Sequence, residues 1–285
     1  MLIQWFPGHM AKTRKLITEH LKAVDVAAEL LDARIPYSSS NPMIQELLGN
    51  KPHLVILNKA DLADPACTAQ WEAYFKEKGR SVISMSCTNG KDKKKFLRVI
   101  REAASPMLEK WKRRGLKTRS ARIMILGIPN VGKSTLINFI AGRAMARTAN
   151  TPGHTRGKQW VRLADGLDLL DTPGVLWPKF EDQEAALRLA ATGAIAGDVF
   201  NSSEVVMSLL KTLSVMAPAI LREKYDIEDT GADPQLLLEQ AGRRRGCLLS
   251  GGAIDYDRAE MVILNDFRSG KLGKITLDAV PEESL

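Results

Sequence analysis

The strongest constraint on the fold is the stretch from Gly127 to Ser134, which reads GIPNVGKS. It matches the phosphate-binding pattern G-x-x-x-x-G-K-[ST] at every fixed position. An apolar run of strand length, residues 122–126, comes directly before it, and a helix-like run closed by Gly142 follows. Strand, glycine loop and helix together predict a site where backbone N–H groups and a helix N-terminus surround a phosphate.

Individual residues of this loop have expected roles in binding a nucleoside triphosphate. We expect Lys133 to contact the β and γ phosphates and to act in catalysis, and Ser134 to ligate Mg²⁺. The backbone around Val131, Gly132 and Thr135 is expected to contact the phosphates. A glycine turn between strand and helix is the alternative, and the flanking pattern disfavours it.

A second motif, residues 58–61 with the sequence NKAD, follows the apolar run 53–57. A carboxylate at Asp61 can accept from N1–H and the 2-amino group of guanine, which adenine does not offer. We expect Asn58 to bond near the base and brace the phosphate loop, and the stem of Lys59 to lie on the purine face. The motif therefore predicts GTP rather than ATP as the nucleotide.

A third predicted strand, residues 81–85, leads into a loop that begins with Ser86 and Cys87. Next to the other motifs, this loop is expected to offer a backbone N–H to guanine O6. Without them it would be an ordinary loop.

Residues after the phosphate loop are expected to respond to the γ phosphate. Thr155, in a segment rich in Thr, Gly and Pro, is predicted to contact Mg²⁺ and the γ phosphate, with an ordinary loop threonine as the alternative. Asp171 follows an apolar strand and is expected to hold the water shell of Mg²⁺. The N–H of Gly174 is expected to contact the γ phosphate and to lose that contact after hydrolysis.

The order of these motifs is unusual, because the guanine-reading motif precedes the phosphate loop. Each motif still ends a predicted strand, and such ends form the ligand crevice of an open α/β sheet. We therefore predict a circularly permuted α/β GTPase domain over residues 1–176, with a mostly parallel sheet and helices on both faces. Residues 37–42 are predicted as a loop. Helical patterns predict a small all-α domain over 177–285.

Composition limits the cellular setting and the partners. The chain has 285 residues and a net charge of +8, which permits but does not prove binding to a polyanion. Three scattered cysteines favour a reducing cytosol, and no membrane-spanning run or targeting signal is seen, so we predict a cytoplasmic protein without a membrane partner. Basic residues at the edges of the helical region are expected to bind RNA: Arg243, Arg244, Arg245, Arg268, Lys271 and Lys274.

The chain resembles the ribosome biogenesis GTPase A family of circularly permuted bacterial GTPases. The resemblance covers nearly the whole chain and rests on residues 5–10, 32–36, 58–61, 127–135 and 171–174. It implies hydrolysis of GTP to GDP and phosphate, coupled to late assembly of the large (50S) ribosomal subunit. It also implies a large-subunit precursor and its rRNA as partners, and we expect a monomer off the ribosome.

The source of catalysis is open, because Leu176 stands where many GTPases have a water-orienting glutamine. The resemblance marks the N-terminal segment as functional, and His9 there could orient the attacking water. Asn130 resembles the asparagine that binds K⁺ in potassium-dependent GTPases, so K⁺ is an expected activator beside Mg²⁺. The missing glutamine also keeps open a GTP-gated rRNA-binding scaffold in which hydrolysis is incidental.

Overall fold

The computed structural model describes residues 10–49, 51–115, 120–142, 159–163, 166–171, 182–195 and 200–281, without the side chains of 10–13, 159 and 171. These residues fall into two compact units. The first holds the described residues up to 171 and again those from 278 onward, and the second holds those from 182 to 277. The boundary predicted at residue 176 lies outside the described residues and stays a prediction.

The first unit is built on a six-stranded sheet whose order is β3-β2-β1-β4-β6-β5. Its strands are β1 (Val26–Asp32), β2 (His53–Asn58), β3 (Ser81–Ser84), β4 (Ala121–Gly127), β5 (Gln159–Leu163) and β6 (Leu167–Asp171). All neighbouring pairs are parallel except β5 with β6, which are antiparallel. Every residue of β1 is buried, as expected for a central parallel strand covered on both faces.

The described residues of the first unit form six helices: α1 (Met10–Leu21), α2 (Pro36–Ser39), α3 (Pro42–Leu48), α4 (Pro65–Glu77), α5 (Asp92–Arg113) and α6 (Lys133–Ala141). Local sequence explains where several begin. Asn41 caps α3 by accepting from the N–H of Met43, and Asp64 caps α4 by accepting from the N–H of Cys67. A proline follows each of these caps, where its missing N–H has no cost.

The chain order of the strands confirms a permuted α/β fold. The phosphate-loop strand β4 lies between β1 and β6 in the centre of the sheet, although it is fourth in the chain. The strands can be renumbered as if the chain began at β4, so that β4, β5 and β6 become strands 1 to 3 and β1, β2 and β3 become strands 4 to 6. Read from the β5 edge, the strand order of the sheet is then 2-3-1-4-5-6. The predicted strands and helices of this unit agree with the observed ones to within a few residues.

One local prediction was wrong, because residues 37–42 are not a continuous loop. The short helix α2 begins at Pro36. The N–H of Ser39 donates to the carbonyl oxygen of Ile35 over 2.9 Å, and the Ser39 hydroxyl donates to the same oxygen over 2.6 Å. Proline fixes φ near the helical value, and the serine side chain closes the turn.

The described residues of the second unit form helices joined by turns and loops, and their only β pairing is one isolated bridge between Leu248 and Ile254. It contains α7 (Gln183–Thr192), α8 (Ser202–Met216), α9 (Pro218–Tyr225), α10 (Pro234–Arg244) and α11 (Tyr256–Arg268). Asp182, Asn201, Asp233 and Asp255 cap four of these helices. Leu210, Leu213, Leu237 and Ile263 are fully buried in this unit, which agrees with the predicted apolar helical spacing.

Within the described residues, no single helix has both the length and the apolar character to cross a membrane. Helices α8 and α9 reach the necessary length and apolar character only when they are taken together, and the chain bends by 114° between them.

Candidate functional site

The carboxyl ends of three neighbouring strands meet at one edge of the sheet. In the register of the sheet, Asp32 at the end of β1 pairs with Asn58 at the end of β2. Leu30 of β1 pairs with Gly127, where β4 passes into the phosphate loop. Motifs that are far apart in the chain are therefore neighbours in space, at the edge where open α/β sheets bind ligands.

Two glycines of the phosphate loop occupy positions that no side chain could share. Gly127 has φ +154°, and a Cβ there would lie 2.6 Å from the carbonyl oxygen of Leu30. Gly132 has φ +106°, and a Cβ there would lie 2.5 Å from Nδ2 of Asn58. The loop thus depends on glycine both for its backbone conformation and for its close approach to the neighbouring strands.

The side chain of Lys133 folds back over the phosphate loop. Its Nζ donates to the carbonyl oxygens of Gly127 and Ile128 over 3.0 and 2.7 Å. Lys133 begins α6 and is only 8% exposed. An ammonium group is therefore held at the N-terminus of a helix, where both its charge and the helix dipole favour an anion.

Asn58 connects the base-reading motif to the phosphate loop. Its Nδ2 donates to the carbonyl oxygen of Val131 over 2.8 Å, and its Oδ1 accepts from Sγ of Cys87 over 3.4 Å. The residue is 3% exposed. The side chain of Asn58 therefore brings together three predicted site segments: residues 58–61, residues 86–87 and the phosphate loop.

Lys59 forms a buried ionic network with Asp32. Its Nζ lies 2.9 Å from Oδ2 of Asp32 and 3.3 Å from the carbonyl oxygen of Asn130. Arg34 bonds both oxygens of the same carboxylate, over 2.9 and 2.7 Å. Burial alone would raise the pKa of Asp32, but Lys59 and Arg34 outweigh it and hold this pKa well below its usual range. The carboxylate therefore stays charged.

The backbone in this region adopts left-handed conformations at residues other than glycine. Lys59 has φ +59° and Asn130 has φ +54°. Such conformations are uncommon for residues with a Cβ and concentrate at functional sites. Here they occur in the two loops that Asn58 joins.

The loop after β3 is arranged by Asp92. Oδ2 of Asp92 accepts from the N–H of Ser86 over 2.8 Å, so this N–H already has a partner. Burial raises the pKa of the Cys87 thiol to about 12, with Asp61 and Asp92 adding to the effect and Lys59 opposing it. The thiol is therefore neutral at physiological pH. Asp61 itself is exposed, in the turn after β2.

Residues with hard oxygen ligands flank the phosphate loop. Ser134 is the second residue of α6, and Asp171 ends β6, which is hydrogen-bonded to β4. A hydroxyl and a carboxylate suit Mg²⁺, which prefers oxygen ligands. By residue type the two predicted ligands fit this metal; the side chain of Asp171 lies outside the described part of the chain, so its role stays a prediction. His9, Thr155 and Gly174 lie outside the described residues, so their predicted roles stay predictions.

The sequence patterns assign no role to Asp32, although residues 32–36 are among the segments that carry the family resemblance. Two sequence signals point to it: Asp32 stands at the end of a mostly apolar run, and an arginine stands two residues later. What the sequence lacks is the register that sets Asp32 beside Asn58 and Lys59.

The basic residues predicted to bind RNA divide into two groups. Arg268 donates to the carbonyl oxygens of Ala190 and Ala191 over 2.8 and 2.9 Å, and therefore closes the end of α7. Arg245 pairs with the buried Asp266 over 2.9 Å. Arg245 is itself exposed, and so are the other four: Arg243, Arg244, Lys271 and Lys274. Of these, Lys271 lies 3.8 Å from the same Asp266 carboxylate, and Arg244 lies 3.9 Å from Asp226.

Known proteins that are similar to this chain are GTPases linked to the ribosome. The family described as 50S ribosome-binding GTPase matches residues 122–233, which include the phosphate loop. A ribosome biogenesis GTPase A of Bacillus cereus is 47% identical over 99% of this chain and 95% of its own. A mitochondrial ribosome-associated GTPase 1 of Mus musculus is 35% identical over 96% of this chain and 90% of its own. Among solved structures, GNP-bound YlqF from T. maritima is similar, with a TM-score of 0.66 and 27% identity over 94% of this chain and 98% of that one.

Proposed function

The chain belongs to the ribosome biogenesis GTPase A family, and we propose that it hydrolyses GTP to GDP and phosphate to time a late step in assembly of the large ribosomal subunit. As a member of this family it is a GTPase of ribosome biogenesis. The assembly stage and the individual site residues are the parts that we propose.

The bond from Asn58 to the phosphate-loop carbonyl of Val131 carries the proposal. It holds the N-K-x-D motif at a fixed distance from the phosphate loop. A ligand that uses both must present a guanine-like base at one end and phosphates at the other. In this arrangement Asp61 accepts from N1–H and the 2-amino group, and the stem of Lys59 covers the purine face.

Cys87 is the better donor to guanine O6 in the loop after β3. The N–H of Ser86 is bonded to Asp92. Within the described part of the chain, no acceptor is bonded to the N–H of Cys87. We therefore assign the O6 contact to the backbone of Cys87, with Ser86 holding the loop in place.

Hydrolysis requires charge stabilisation around the γ phosphate. Lys133 supplies one positive charge, and the N-terminus of α6 supplies backbone donors from Gly132 to Thr135. Mg²⁺ held by Ser134, Thr155 and Asp171 would neutralise the β and γ phosphates when bound. The N–H of Gly174 completes the γ-phosphate contacts.

Two groups are assigned to activation of the attacking water. His9 orients the water when the protein is on the ribosome. Asn130 would hold a K⁺ ion, and that ion would supply the charge that an arginine finger gives in other GTPases. Support for a special role of Asn130 is its left-handed backbone in the phosphate loop.

The partner we propose is a large-subunit precursor, contacted through its rRNA. Exposed Arg243, Arg244, Lys271 and Lys274 on the helical unit match a polyanionic surface. We place the protein in the cytoplasm and expect a monomer off the ribosome. Such contacts should weaken as salt is raised, because phosphate binding releases counterions.

Turnover of GTP with and without large subunits, in K⁺ and in Na⁺, tests the proposal. We expect slow hydrolysis by the isolated protein, strong stimulation by large subunits, and a lower rate in Na⁺. If large subunits bind in the presence of GTP but do not raise turnover, the protein is instead a GTP-gated scaffold. Equal rates in K⁺ and Na⁺ would remove the K⁺ assignment.

A single substitution tests His9. The His9→Ala variant should bind GTP normally and hydrolyse it slowly in the presence of large subunits. His154 stands near the predicted switch and is a third candidate from the sequence, which we interpret as a loop residue. His154→Ala therefore serves as the matched histidine control and should keep the stimulated rate. Unchanged stimulation of His9→Ala would remove this residue from the mechanism.

A further inference from the structure

Residues 278–281, here called the terminal segment, belong to the nucleotide-binding unit and are hydrogen-bonded into it. Asp278 is 2% exposed. Its Oδ2 accepts from the N–H of Ser38 over 2.7 Å, and its Oδ1 accepts from the Ser38 hydroxyl over 2.8 Å. Its carbonyl oxygen accepts from Nε1 of Trp71 over 3.3 Å. Charged hydrogen bonds that are shielded from water are among the stronger ones.

An apolar contact fixes the same segment a second time. Val280 packs on a buried cluster that includes Leu31, Leu57 and Trp71. Leu31 directly precedes Asp32, and Leu57 directly precedes Asn58. The terminal segment therefore covers the core beneath the ends of β1 and β2, which carry Asp32 and the base-reading motif respectively.

A short path of contacts leads from Ser38 to the nucleotide site. The next residue, Ser39, accepts from the N–H of Asp32 over 3.1 Å through its hydroxyl oxygen. Asp32 holds Lys59 at 2.9 Å, and Lys59 also reaches the carbonyl oxygen of Asn130 at 3.3 Å. Helix α2, which contains both serines, thus lies between the terminal segment and the base-reading motif.

We propose that Asp278 is a positioning residue for guanine-nucleotide binding, which acts through α2 and Asp32 to hold Lys59 in place. Asp278 touches neither base nor phosphate in this view. It fixes Ser38, so that the loop after β1 presents the Asp32 carboxylate to Lys59 in one geometry. The inference rests on the proposed function only in taking residues 58–61 as the guanine-binding motif.

The chemistry of the contact makes Asp278→Asn an informative variant. A carboxylate accepts from both the N–H and the hydroxyl of Ser38, whereas an amide offers one acceptor and one donor. If the amide nitrogen faces the N–H of Ser38, that bond is lost; if it faces the hydroxyl, the hydroxyl must turn and accept instead of donate. In either case two bonds to a charged carboxylate are replaced by weaker bonds to a neutral amide. The volume of the side chain is conserved, so a loss of packing does not complicate the result.

Titration of a fluorescent GTP analogue and a GDP analogue into full-length variants tests the proposal. For Asp278→Asn we expect both dissociation constants to rise about tenfold and kcat at saturating GTP to stay within about twofold, since Lys59 binds substrate and transition state alike. Ser38→Ala, which removes one of the two bonds, should weaken binding by a smaller factor. Unchanged dissociation constants for both variants would overturn the proposal.

Asp266→Asn is the matched control for a purely structural effect. Asp266 is also buried, at 4% exposed, but it lies in the helical unit and accepts from Tyr225 and Arg245. This variant should lower the melting temperature and leave nucleotide binding unchanged. If Asp266→Asn weakens binding as much as Asp278→Asn does, binding merely follows stability and the proposal fails.

A double-mutant cycle tests the path through Lys59. In a Lys59→Ala background, Asp278→Asn should cause little further loss of binding. If Asp278→Asn raises the dissociation constant by the same factor with and without Lys59→Ala, Asp278 does not act through Lys59, and the proposal is overturned. Whether the unmodified protein prefers GTP over ATP tests the proposed function separately. Failure of the Asp278 proposal can therefore be distinguished from failure of the proposed function.

Discussion

The ammonium nitrogen of Lys59 lies 2.9 Å from Oδ2 of Asp32, on the neighbouring strand end. The two residues are 27 positions apart in the chain. Arg34 holds the same carboxylate from the other side, and both Asp32 and Arg34 are almost fully buried. One carboxylate therefore fixes the lysine that is expected to lie against the base.

Asp32→Asn should destabilise the protein and weaken GTP binding. The change leaves Arg34 and Lys59 without their shared anion, and breaking a buried pair from one side costs about 3 to 5 kcal/mol. Urea unfolding at pH 7 measures the loss. Glu102→Gln is the control, because Glu102 pairs with Arg98 at 3.9 Å with both side chains mostly exposed, and it should cost less than about 0.5 kcal/mol.

The difference in free energy of unfolding between Asp32→Asn and the unmodified protein should become smaller in acid and should not become larger. A carboxyl group whose folded pKa is lowered contributes stability above its unfolded pKa and loses it as the pH falls toward the folded value. The ordinary pKa of the group is 3.8. The difference in unfolding free energy should therefore be constant from about pH 5 to 8 and shrink only below about pH 4. A difference that grew in acid would contradict the charged network.

Gly132→Ala should clearly weaken nucleotide binding. A Cβ would lie 2.5 Å from Nδ2 of Asn58, and the backbone has φ +106°. We expect the dissociation constant for GTP to rise at least about tenfold, or about 1.4 kcal/mol. Gly166→Ala is the control, since Gly166 has φ +72° but a Cβ there would meet no atom of the described residues within 4 Å. Equal effects of the two changes would mean that backbone strain, and not the contact with Asn58, is responsible.

Asp61→Asn should change the preferred base from guanine toward xanthine. The amide can accept from N1–H and donate to the carbonyl that xanthine carries at C2, whereas guanine has an amino group there. Competition of GTP and xanthosine triphosphate for the fluorescent nucleotide measures the exchange. Asp64→Asn, at the nearby cap of α4, should not alter base preference. Continued preference of Asp61→Asn for GTP would remove Asp61 from base recognition.

Cys87 should resist alkylation while the protein is folded. Burial, with Asp61 and Asp92, raises the pKa of its thiol to about 12, so only about one thiol in ten thousand is ionised at pH 8. Reaction with iodoacetamide, followed by peptide mass spectrometry, should be about a thousandfold slower than in the urea-unfolded chain. Equal rates in the folded and unfolded protein would contradict the burial of this thiol against Asn58.

Most elements of the fold could be predicted from local patterns. Buried parallel strands are continuous apolar runs, as at residues 53–57 and 122–126, and caps such as Asp64 mark helix starts. Helix α2 was missed because four residues are too few for a period to show. The two phosphate-loop glycines were found by pattern, whereas the contacts that require them come from Leu30 and Asn58.

The sequence by itself determined the chemistry, because the phosphate loop and the guanine-reading motif each consist of residues next to one another in the chain. Their reversed order can also be read directly from the sequence. Only the tertiary structure decided which residues of distant segments meet. Asp32 bonds Lys59 because two parallel strands end in register, and Asp278 bonds Ser38 across 240 positions of the chain. Local patterns follow from backbone and side-chain preferences within a few residues, whereas such pairs depend on how the whole sheet and its covering segments pack.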